Sequence, residues 1–83
     1  MPQVTARQIR AARALLEWSQ EALADRAIVS RNSVYRIERG EGTTTEVFFK
    51  VIQALESAGI EFQHPDQTKG EGVRLNSPLS EPS

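Results

Sequence analysis

The chain has 83 residues, enough for one domain with a modest core. It contains no cysteine, which excludes a disulfide framework and a thiolate metal site, and no apolar run approaches the ~18 residues of a membrane span. The net charge of −1 is unevenly spread: residues 1–40 carry seven arginines against four acids, a net +3, while residues 41–83 carry three cations against seven acids, a net −4. Met1 to Arg10 lacks the charged-then-apolar layout of a signal peptide, so a soluble, cytoplasmic protein is expected.

The first helix opens at Thr5. Thr5-Ala-Arg-Gln8 fits a capping box, in which the Thr hydroxyl takes an orphan amide and Gln8 reaches back to the cap. Ile9, Ala12, Leu15 and Leu16 recur at helical spacing and define its apolar face. The helix should end near Leu16 or Glu17. Ser19 then caps a second helix, Gln20 to about Ala27, whose alanines at 22, 24 and 27 keep it slim enough for close approach by a neighbour. Trp18 is expected in the core between these two helices, and Arg26 as an ordinary surface arginine.

A short turn at Ile28-Val29 leads to Ser30, the N-cap of a third helix running from Arg31 to about Arg39. Val34 and Ile37 mark its buried side, and Gly40 is a natural left-handed C′ residue. Thr43-Thr-Thr-Glu46 is a second capping-box match, so a fourth helix should begin around Thr44 or Thr45 and stop at Gly59. Val47, Phe48, Val51, Ile52 and Leu55 make it the most apolar helix and the expected centre of the core. Of Phe48 and Phe49, one must point away from that stripe, towards solvent or a partner subunit.

After Gly59 the period changes from helical to alternating. Ile60-Glu-Phe62 and Val73-Arg-Leu75 read as a short hairpin with a long loop between them. An isolated hairpin is marginal in water, so it must pack on the helices or pair with another chain. Residues 76–83 hold two prolines and three serines and are expected to be disordered. The division is therefore 1–59 as a helical unit, 60–75 as a hairpin extension and 76–83 as a tail. The fold class is mainly α: a compact bundle of four to five helices with a helix-turn-helix, plus a short C-terminal β-hairpin.

A turn as short as the one after Ala27 cannot run helices two and three antiparallel. It forces a steep crossing that leaves helix three free to enter a major groove. The first turn of that helix carries Arg31, Asn32 and Ser33, long or polar groups suited to base edges and phosphates.

The run Trp18-Ser-Gln-Glu-Ala-Leu-Ala24, followed by Val29-Ser-Arg-Asn-Ser-Val-Tyr-Arg-Ile-Glu-Arg-Gly40, resembles the phage repressor and Cro type of helix-turn-helix, the XRE family. The likeness covers about residues 7–58 and implies a homodimer that binds palindromic operators. Position by position, it implies that Ser19 and Gln20 approach a DNA phosphate at the start of helix two. Arg31, Asn32 and Arg36 fall at base-reading positions, Ser33 and Arg39 near the sugar-phosphate backbone, and Thr43 and Thr44 in a loop that touches phosphate. Tyr35 either contacts DNA or packs on the bundle. Arg13 and Glu38 match a structural salt bridge between helix one and the recognition helix. Ile28 departs from the family, which commonly has glycine with positive φ in that turn. Either the turn has another shape or its strain is compensated.

The reading is a sequence-specific regulator of double-stranded DNA, a repressor or autoregulator without effector domain or cofactor. The alternative is an antitoxin-like or adaptor module that engages a protein partner through residues 60–75. No nucleophile–base pair, metal cluster or phosphate loop points to an enzyme. His64 has no Cys or His partner for a metal or catalytic role.

Overall fold

The computed structural model describes residues 4–63 and 72–75. The expected loop between the strands, with His64, and the expected disordered tail 76–83 lie outside the described residues.

Helix α1 spans Ala6–Leu16 and begins with the predicted capping box. The Thr5 hydroxyl accepts the Gln8 N–H at 3.2 Å, and Gln8 Oε1 accepts the Thr5 N–H at 2.9 Å. Glu17 closes the helix in the left-handed conformation, and the Trp18 N–H returns to the Arg13 carbonyl at 3.0 Å. Helix α2, Gln20–Ala27, is capped by Ser19, whose hydroxyl accepts the Ala22 N–H at 3.0 Å. Its C-terminus repeats the same device: Ile28 is left-handed and the Val29 N–H returns to the Ala24 carbonyl at 3.0 Å. Helix α3, Arg31–Glu38, is capped by Ser30 and ends one residue before the expected Arg39, with Gly40 turning away at φ +80°.

Helix α4, Thr45–Ser57, starts where expected but not by the expected box. Thr44 is the N-cap and takes the Val47 N–H at 3.1 Å. That puts Val47 at the third helical position, so Glu46 sits one place too early to reach back. Gly59, at φ +105°, follows the helix. Strands β1, Ile60–Gln63, and β2, Gly72–Leu75, pair antiparallel with Ile60 opposite Leu75 and Gln63 opposite Gly72.

The core draws on every helix: Ile9 and Ala12, Leu23, Ala24 and Ala27, Val34 and Ile37, then Val51, Ile52 and Leu55, with Ile60 from β1. Each fully buried Leu, Ile or Val of this set contributes about 1.5–3 kcal/mol by leaving water. Ala24 and Ala27 lie where α2 meets its neighbours, as their small size predicted. Leu15, placed on the apolar face by its spacing, is instead 45 % exposed because α1 packs through Gln8, Ile9 and Ala12. Trp18 is half-buried against the core with the Arg26 guanidinium over its ring at 4.6 Å. Phe48 packs inward and Phe49 faces outward.

The hairpin packs on the chain's own helices. Ile60 is buried, and Phe62 and Val73 lean on the core. The buried Gln8 amide donates to the carbonyls of Gln63 at 2.9 Å and Gly72 at 2.8 Å, the last register pair of the ladder. Among the described residues no helix is long and apolar enough to cross a membrane.

Candidate nucleic-acid interface

Helix α3 is two-faced. Val34, Ile37 and Glu38 are buried, and Arg31, Asn32, Tyr35, Arg36 and the following Arg39 are exposed. Positions 31, 32, 35, 36 and 39 fall on one side of a helix, so these side chains form a single solvent-facing row. Its charge has one sign, because the only acid of α3, Glu38, is turned inward.

Glu38 is the point where three helices are fastened. It is 4 % exposed. Arg13 of α1 grips its carboxylate with two bonds, Nε to Oε2 at 2.7 Å and Nη2 to Oε1 at 3.0 Å. Gln20 of α2 donates its amide to the same Oε1 at 3.0 Å. Arg10 caps the end of α3 from outside, through its guanidinium on the Glu38 carbonyl. Hydrogen bonding to Glu38 raises the Arg13 pKa above its ordinary value, outweighing the opposite effect of burial. The expected Arg13–Glu38 bridge is therefore present, and it sets the tilt of α3 against α1 and α2. A buried charge held by a two-pronged guanidinium is costly to break, which fixes the geometry.

The N-terminus of α2 and the first turn of α3 come together. Gln20, Arg31, Asn32 and Tyr35 line one shallow concavity of about 290 Å³. Ser19 is exposed at its cap position beside Gln20. Ser33 is half-buried and exchanges a hydrogen bond with the Ser30 hydroxyl at 2.9 Å. Thr43 and Thr44 lie apart, in a second groove shared with Gly40, Glu41 and Phe48. The Arg39 guanidinium lies 5.4 Å from the Tyr35 ring centre, with Nη1 3.2 Å from the Tyr35 hydroxyl. Tyr35 is 46 % exposed, so it belongs to the outer row and not to the packed interior.

Helix-turn-helix is also the result of comparison with known families: a profile of that description matches residues 9–61. The chain belongs to the XRE-type helix-turn-helix family. Its members are DNA-binding transcription regulators. The search among curated proteins found no significant match. The matched segment starts inside α1, runs through α2, α3 and α4 and enters β1, so the hairpin lies largely beyond the shared helix-turn-helix unit.

Three residues of the site carry roles that the pattern alone did not expose. Gln8 was read only as a capping residue, and its reach to the hairpin spans more than fifty positions. Arg10 shares with Arg13 the turn of α1 that faces α3, a three-residue spacing that could have marked it. Glu41 sits directly after the Gly40 turn, 3.0 Å from Arg39 and 3.6 Å from Arg36. An acid placed just after an arginine-bearing helix was its only sequence signal.

Proposed function

We propose that the protein is a homodimeric repressor or autoregulator that reads a palindromic operator with the exposed face of α3. The observation that carries this reading is the outward row of Arg31, Asn32, Tyr35, Arg36 and Arg39, set opposite a buried side clamped through Glu38. In this reading Arg31 takes guanine O6 and N7, Asn32 takes adenine N6 and N7, and Arg36 reads a base one turn further along. Ser19, Gln20, Ser33, Arg39, Thr43 and Thr44 meet the sugar-phosphate backbone and fix the register. Gln20 can serve both DNA and protein, because its amide NH₂ goes to Glu38 while the N-terminus of α2 faces outward.

In this reading residues 1–59 are the reading unit and 60–75 its extension, whose Ile60, Phe62 and Val73 pack on the core. The adaptor alternative has less support, since Ile60, Phe62 and Val73 are used against the chain's own helices.

The test is selection of bound duplexes from a random pool at low salt, followed by footprinting. A shared motif with dyad symmetry is expected. Failure to retain any duplex at low salt would overturn the reading, because sequence-independent phosphate binding is strongest there.

A further inference from the structure

Two of the three arginines on the outer row of α3 are already held by an acid of the same chain. Gly40 turns the backbone so that the Glu41 N–H donates to the Arg36 carbonyl at 2.9 Å. This folds the Glu41 carboxylate back along the helix. Oε2 accepts from Arg39 Nε at 3.0 Å, and Oε1 lies 3.6 Å from Arg36 Nε. All three side chains are about half exposed: Arg36 52 %, Arg39 57 %, Glu41 45 %. Ion pairs this open to water add little to stability. The fold therefore has no strong need for an acid here, and the acid stands where a polyanion would dock.

We propose that Glu41 is a specificity-setting residue. Its carboxylate occupies Arg36 and Arg39 as an internal stand-in for phosphate and is displaced efficiently only by a duplex that engages both arginines in register. This rests on the DNA-reading assignment of α3.

The reason is a difference between two kinds of binding. Non-specific association is made almost wholly of phosphate contacts, so it loses most when two arginines are already neutralised and a like charge sits between them. In specific association Arg36 turns to a base edge and only Arg39 meets phosphate, so fewer phosphate contacts are forfeited to the clamp and the loss is smaller. A repulsive element that weakens the wrong complex more than the right one is a standard source of discrimination. Arg31, which reads at the other end of α3, lies outside the clamp and starts the encounter.

The test compares Glu41→Gln with the parent chain on two probes: a duplex selected by the parent protein and an unselected random-sequence duplex. Glu56→Gln, on the exposed side of α4, controls for the loss of one negative charge. For Glu41→Gln, affinity for the random duplex should rise about tenfold, with a salt dependence steeper by about 1–2 in log–log slope. Affinity for the selected duplex should rise by less, so the ratio between the two falls. Glu56→Gln should change neither, and in an Arg36→Ala/Arg39→Ala background Glu41→Gln should have no further effect. Equal gains on both probes, no gain on the random duplex, or the same gain from Glu56→Gln would each overturn the proposal. If the parent protein binds neither probe at low salt, the DNA-reading assignment itself fails, an outcome distinct from these.

Discussion

Ile28 shows how much one backbone angle can decide. It sits at φ +59°, ψ +52°, and its side chain is 80 % exposed. Of the two possibilities raised by a β-branched residue in this turn, the left-handed shape is the one adopted. An L-residue there costs roughly 1–2 kcal/mol, more if β-branched. Two returning bonds hold it in place, Ile28 N–H to Asp25 at 3.3 Å and Val29 N–H to Ala24 at 3.0 Å. Ile28→Gly should therefore stabilise the protein by about 1 kcal/mol, net of the glycine's greater unfolded-state entropy. That gain is roughly 4–8 °C in melting temperature for a domain of this size. An unchanged or lower melting point would show that the Ile28 side chain makes contacts that outweigh the strain. The reading face gives the complementary expectation. Arg31 is exposed and unclamped by Glu41, so Arg31→Ala should leave the melting point alone. It should weaken operator binding by about 1–3 kcal/mol and relax selectivity at one base position. A variant that keeps full selectivity would remove Arg31 from base reading.

At the level of elements, what the sequence made legible is what is local. Thr5, Ser19 and Ser30 cap the helices they were expected to cap, because an N-cap bond spans three residues. The outer row of α3 was legible for the same reason: burial of Val34 and Ile37 fixes which side of an eight-residue helix faces out. The fourth helix was placed correctly but with the wrong cap, since three successive threonines offer three equivalent hydroxyls and only packing of Val47 and Phe48 chooses Thr44. Of the links between distant elements, only Arg13–Glu38 was legible, and that through the family likeness and not through spacing. Nothing near Gln8 announces that its amide will hold the mouth of a hairpin, and nothing near Gln20 announces Glu38. Those links can be tested by removing one. Gln8→Leu keeps the volume but leaves the carbonyls of Gln63 and Gly72 without their buried donor. The cost should be about 1–3 kcal/mol. Amide exchange should accelerate in β1 and β2 well before the α2–α3 unit. Exchange that stays equally slow in the hairpin would show that apolar packing of Ile60, Phe62 and Val73 suffices to hold it.

For the molecule as a whole, the size of the reading surface sets the stoichiometry. Helix α3 has eight residues, about 12 Å of axis at 1.5 Å per residue, and so touches only a few base pairs. A few base pairs recur far too often in a genome to define a site, so selectivity requires a second copy of the same face. The dimensions suit that arrangement. The protein measures 37 × 33 × 19 Å along its principal axes. A two-fold pair carries its α3 helices at twice the distance from α3 to the contact between copies, so the helical repeat of ~34–36 Å asks for about 17–18 Å, which fits inside one molecular width. Two chains should therefore bind each operator, with half-site centres 10–10.5 base pairs apart. Inserting five base pairs between the half-sites turns one of them to the opposite face of the duplex and should abolish cooperative binding, leaving only weak single-site occupancy. Saturation at one chain per selected duplex, or affinity indifferent to that insertion, would mean that a single α3 helix reads its site alone.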